Sequence, residues 1–152
     1  MLVSSVVGMF ESVVAVLPIV ICFQSLVLDM AGNVGTQSLA VTIRVLMDEN
    51  LTGTKKLRLL FKEMRVGLIN GALLAVLTLV SLGIYIHFFK VYDWGQAFLL
   101  SGCVGISLIV AMIISSLVGT VIPMFFHKIH IDPAVASGPL ITTVNDLVAV
   151  VT

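Results

Sequence analysis

The stretch VGLINGALLAVLTLVSLGIYIHFF, Val66–Phe89, runs between Arg65 and Lys90 without one lysine, arginine, aspartate or glutamate. A helix needs about 20 apolar residues to cross the roughly 30 Å hydrocarbon core of a bilayer. Val66–Phe89 therefore reads as a membrane span, and three more stretches of the chain match it: roughly 13–46, 97–126 and 133–152. A fifth apolar piece, Met1–Phe10, is too short to cross alone. The expected fold is an all-α membrane protein: either the chain starts mid-helix, giving a five-helix transmembrane domain whose first helix is incomplete, or the short piece packs as a half-span. The last stretch stops abruptly at Thr152 with no polar flank.

Composition agrees. The chain is 59% hydrophobic and 11% charged, with mean hydropathy +1.19, whereas soluble domains are about half apolar and a quarter charged. Zero net charge supplies no electrostatic footprint for nucleic acid. Cys22 and Cys103 sit in separate apolar runs, without metal or redox spacing, and read as small hydrophobes. The opening MLVSSVVGMF lacks the basic segment of a signal peptide.

Six of the eight basic residues, Arg44, Lys55, Lys56, Arg58, Lys62 and Arg65, fall between Arg44 and Arg65, at the end of the 13–46 stretch and in the connection that follows it. The positive-inside rule puts that connection in the cytoplasm. The link Lys90–Gln96, with Tyr92 and Trp94, then lies outside, and His127–Asp132 returns inside. Within the basic connection, LTGTKKLRLLFKEMRVG (51–67) places Leu57, Leu60, Phe61 and Met64 at helical spacing opposite its cations. This predicts an amphipathic helix lying on the cytoplasmic interface, with Thr54 able to cap it and its charges solvated.

Two stretches put polar groups where lipid offers no hydrogen bonds. In SGPLITTVNDLVAVVT (137–152), Asp146 interrupts an apolar run, and Thr142, Thr143 and Pro139 share its face. Inserting an aspartate at a helix centre costs about 2.5–3.5 kcal/mol, so such a group faces a wet cavity or a partner. No lysine or arginine sits inside a span to pair with it; the plainer alternative is a structural acid. Pro139 frees the carbonyl of Val135, and a free carbonyl beside a carboxylate suits a hydrated cation. In LDMAGNVGTQSLAVTIR (28–44), Asp29, Asn33, Thr36 or Gln37, Ala40 and Arg44 recur every three to four residues as one polar stripe. Asn33 and Gln37 offer neutral oxygens, while Gly32 and Gly35 permit close approach of a backbone or an ion; interhelical hydrogen bonding is the alternative use of the amides. Gly67, Gly71 and Ala75, and Gly102, Gly105, Ser116 and Gly119, read as packing rows. His127 and His130 stand three apart without further ligands.

GNVGTQS (32–38), IDPAVASGPLITTVND (131–146) and FKEMRVG (61–67) together resemble the MgtE magnesium channels and their solute-carrier relatives, in order along essentially the whole chain. The resemblance implies a homodimer of five-helix subunits in the cell membrane, multi-pass, without enzymatic activity. It implies a pathway near the twofold axis in which Asp146 of each subunit binds a hydrated Mg2+. Asp132 matches an acidic residue implicated in magnesium-linked gating, and Asp29, Asn33, Gln37, Gly138 and Thr142 become candidates to line the pore. By the same comparison residues 1–152 are the ion-conducting domain alone, without the family's cytosolic regulatory domains. Asp29 departs from the small or apolar residue expected there, and Gly138 from the amide of some members. Three other readings follow from the same residues. One is an ion-coupled divalent cation exchanger and another a non-conducting membrane assembly fragment. The third, an aspartyl protease built on Asp29 and Asp146, lacks the expected sequence contexts and needs adjacent carboxylates sharing a proton.

Overall fold

The computed structural model describes residues 18–47, 52–90 and 92–152, together with Ser5 and Gly8. The short first piece, Met1–Phe10, lies outside the described residues apart from those two, both helical. Four helices follow: α1 (Pro18–Leu46), α2 (Gly53–Lys90), α3 (Trp94–Lys128) and α4 (Pro133–Val151). Among the described residues there is no strand, as the all-α reading requires. Two helices, α2 and α3, are long and apolar enough to cross a membrane, and α4 contributes a shorter apolar stretch, Ser137–Val151.

Helix α3 is the hub. It packs along α2, α1 and α4; α1 also lies on α4 but scarcely touches α2. Glycine determines how closely α2 and α3 approach. A Cβ on Gly67 would stand 2.6 Å from Ser116 Oγ and 2.8 Å from the Met112 carbonyl oxygen, and one on Gly71 would stand 2.9 Å from Ile109 Cα. Gly105 meets Ala75 across the same seam. Lipid is as apolar as leucine, so membrane helices associate through close van der Waals contact and hydroxyl hydrogen bonds rather than by escape from water. The interior has that composition. Val27, Ala31, Leu108, Ala111 and Ala149 form one cluster, and Ser101, Ser115, Ser116 and Thr120 are buried beside it.

The ends are built from local signals. Asp93 caps α3, accepting a hydrogen bond from the Gly95 amide at 3.2 Å. Beside it, His87 Nδ1 lies 2.9 Å from the Tyr92 carbonyl and its ring stacks on Trp94 at 3.8 Å.

One expectation is corrected. The basic amphipathic segment is not a separate helix lying on the interface, because it continues unbroken into the span as part of α2. No proline interrupts it, and Leu59, Glu63, Gly67 and Gly71 are buried in one line that crosses the supposed junction. At 38 residues, α2 is about 57 Å long, nearly twice the hydrocarbon thickness, so part of it stands beyond the core.

Candidate ion-binding site

Helix α4 presents two faces. Ser137, Ile141, Asn145 and Ala149 recur every fourth residue and are all buried. Asn145 sits over Gly35 of α1: a Cβ there would run into the amide nitrogen and would stand 2.6 Å from Ser115 Oγ of α3. The Ser115 hydroxyl itself donates to the Ala31 carbonyl. A helix turns by about 100° per residue, so locking Asn145 inward carries Asp146 round to the rim. Asp146 is half-buried, with Thr142 and Thr143 exposed on the turn before it. Among the described residues, Asp146 has neither an ion pair nor a hydrogen bond.

Asp132 is elsewhere. It caps α4, its Oδ1 accepting from the Ala134 amide at 2.9 Å, with Pro133 in the first turn. It is exposed and lies about 20 Å along the helix from Asp146, so the two carboxylates share no site within one subunit. The Gly138 and Pro139 carbonyls have side-chain partners within their own helix. The Thr142 hydroxyl donates back to the Gly138 oxygen at 3.1 Å, and Thr143 to the Pro139 oxygen at 3.0 Å. Those bonds occupy one lone pair of each carbonyl and return the threonine hydroxyls to their own helix.

On α1 the stripe lies where the periodicity puts it. Asp29, Asn33, Thr36, Gln37, Ala40 and Arg44 are all exposed, while Ala31, Val34, Gly35, Ser38 and Thr42 point inward. Asn33 Nδ2 donates to Asp29 Oδ2 at 3.4 Å, a long bond, and the Thr36 hydroxyl folds back to the Gly32 and Asn33 carbonyls at 3.0 Å. The two glycines separate: Gly35 is a tight contact, whereas a Cβ on Gly32 would meet nothing within 4 Å. Gly138 is likewise open.

Helices α1 and α4 run antiparallel, because Gly35 meets Asn145 while Ala31 clusters with Ala149. Asp146 therefore lies level with Asn33 and Val34, and Asp29 stands about 7 Å further along the axis. Asp29 and Asp146 consequently do not form the adjacent pair that a shared-proton dyad needs. Among the described residues no group of three histidine, cysteine or acidic side chains gathers as a metal cage; His127 and His130 are exposed, as is Cys103, a free thiol.

Two buried polar residues escaped the sequence reading. Glu63, 3% exposed, accepts a hydrogen bond from the Ser38 hydroxyl at 2.9 Å and ties α2 to α1. Its place four residues before Gly67, on the line that continues to Gly71, was the available signal; the surrounding cations hid it. Asn145, with neither amide atom hydrogen-bonded among the described residues, was similarly hidden beside Asp146. A hydrogen bond to a charged group contributes about 1.5–3 kcal/mol, and an orphaned buried acceptor costs as much. Ser38→Ala should therefore lower stability by about that amount, read as an earlier thermal unfolding midpoint in detergent. An unchanged midpoint would show that the bond contributes nothing.

The family model described as MgtE, divalent cation transporter, matches residues 24–152. Among curated proteins, the magnesium transporter MgtE of Bacillus subtilis is 39% identical over 146 residues, 95% of this chain and 30% of the relative. The magnesium transporters MgtE of Enterococcus faecalis and Thermus thermophilus are each 35% identical over 147 residues, 97% of this chain and 30% of theirs. The chain thus spans under a third of the length of the relatives it matches.

Proposed function

The chain belongs to the MgtE family of divalent cation transporters, and from that premise we propose that it carries magnesium across the cell membrane as a multi-pass homodimer. A hydrated ion is held between the Asp146 side chains of the two copies. The observation that carries this reading is the half-buried carboxyl group of Asp146, without a partner among the described residues, at the level of an outward-facing polar stripe. Polar groups on the outside of an apolar bundle cannot face hydrocarbon without large cost. A second copy laid against this side, with water between, gives those groups their partners.

Mg2+ sheds water reluctantly and usually keeps several waters, held through one or two carboxylates rather than an all-protein cage. One Asp146 from each copy supplies that charge. Asn33, Gln37 and Thr142 would then bond the ion's waters, with Gly138 lining the path and Asp29 a turn or more further out. Asp132 lies at the far end of α4, where magnesium-linked gating is the role we assign it. The membrane potential contributes about 2.3 kcal/mol per unit charge per 100 mV, twice that for a divalent ion, which suffices to drive inward flow.

Vesicles containing the purified chain and a magnesium-sensitive dye test the reading. Saturable uptake that follows an imposed potential and needs no sodium gradient is expected. Uptake strictly dependent on sodium would turn the assignment to an exchanger, and no uptake by the membrane-inserted dimer would turn it to a packing fragment.

A further inference from the structure

We propose that the basic end of α2 is a binding site for the headgroup of an anionic phospholipid of the cytoplasmic leaflet. Arg58, Lys62 and Arg65 line a surface groove with Phe61, Val66 and Ile69, all from one helix. The three cations stand four and three residues apart, on one face, and all are exposed. That face continues without a break into Ile69, Leu73, Val76 and Val80, each exposed and apolar. A charged stripe thus passes into a hydrocarbon-facing stripe along a single line, the polarity profile of a phospholipid from phosphate to acyl chain.

Charge complementarity selects the occupant. The carboxylate of this segment, Glu63, is turned inward to Ser38 and cannot neutralise the groove. Among the described residues none of Arg58, Lys62 and Arg65 has an ion pair or hydrogen bond of its own. Helix α2 is long enough to leave the core, and the positive-inside rule sets its basic end at the cytoplasmic surface, where the anionic lipids lie. The apolar floor made by Phe61, Val66 and Ile69 favours a lipid over a free anion, which has no chain to lay there.

Each basic residue near an anionic surface strengthens binding by about fivefold, so three together give roughly a hundredfold. The test counts lipids retained by the whole chain, purified in detergent with equal phosphatidylglycerol and phosphatidylcholine, by native mass spectrometry. Selective retention of phosphatidylglycerol is expected, with the preference lost in the Arg58→Gln/Lys62→Gln/Arg65→Gln variant. It should be kept in Lys128→Gln, which removes a cation outside the groove. The proposal is overturned if the triple variant retains the anionic lipid. It is also overturned if inorganic phosphate at matched concentration displaces it fully, which would mark a free-anion site, or if the triple variant dissociates the dimer with lipid counts unchanged, which would mark a subunit contact. None of these readouts depends on ion conduction, so a failure of the transport reading leaves this one standing.

Discussion

Asp146→Ala should abolish the proposed magnesium uptake while the protein stays folded, helical and in the oligomeric state of the parent. The substitution removes the carboxyl group on the rim of α4 at the level where the α1 stripe comes alongside, and in the proposed twofold assembly both copies lose it at once. Hydrogen bonds to charged groups contribute about 1.5–3 kcal/mol each, so losing one from each copy predicts a fall of at least about a hundredfold. The fold should not suffer. Asp146 is half-buried and has no partner among the described residues, so an alanine there orphans none of them. Asp146→Asn refines the test because the amide has nearly the same shape and still binds water. If charge holds the ion, Asn fails almost as completely as Ala; if only water-binding shape matters, Asn conducts. Rates are measured in vesicles and the fold is checked by elution volume and circular dichroism. Undiminished uptake in the alanine variant sinks the site.

That experiment bears on the part of the molecule most readable from its residues. The polar stripe of α1 was visible as Asp29, Asn33, Gln37 and Arg44 because a lone helical period in an apolar run has little else to mean. The small-residue rows were equally visible, and Gly67, Gly71, Gly105 and Gly119 are all close contacts. What stayed hidden is long-range. Whether the basic segment breaks before the span depends on a buried line, Leu59 to Gly71, whose burial comes from α3 and α1 rather than from α2's own sequence. Glu63 was masked by its charged neighbours for the same reason. Gly32 and Gly35 look alike in the motif GNVGTQS, yet only Gly35 has a neighbouring helix over it. The Thr142 and Thr143 hydroxyls returned to their own helix, a local option that competes with any ligand role and that spacing alone does not decide. Asp132 shows the remaining difficulty: capping and gating call for the same side chain, and one local hydrogen bond satisfies the first without touching the second.

The difference between glycines supports the second large effect, on stability. Gly119→Ala should be the more damaging of two alanine substitutions that look equivalent in sequence, the other being Gly32→Ala. A Cβ on Gly119 would be driven into the backbone carbonyl of Gly35, with the carbonyl carbon and Ser38 Cβ both at 3.1 Å. Backbone cannot rotate away as a side-chain tip can. The α1–α3 seam would have to open, and with it the junction where Asn145 rests on Gly35 and the Ser115 hydroxyl reaches the Ala31 carbonyl. Overpacking of this kind costs about 1–3 kcal/mol or more, and it outweighs the roughly 1 kcal/mol that alanine gains over glycine in a helix. At Gly32, where nothing lies within 4 Å, only the gain remains. Thermal unfolding in detergent should therefore show the midpoint falling for Gly119→Ala and holding or rising for Gly32→Ala. Because the same seam sets the rotation of α4, the Gly119 variant should also lose magnesium uptake beyond its loss of folded protein. If both variants unfold at the parent temperature, the α1–α3 contact is not as close as described, and the inward lock on Asn145 that presents Asp146 has no support.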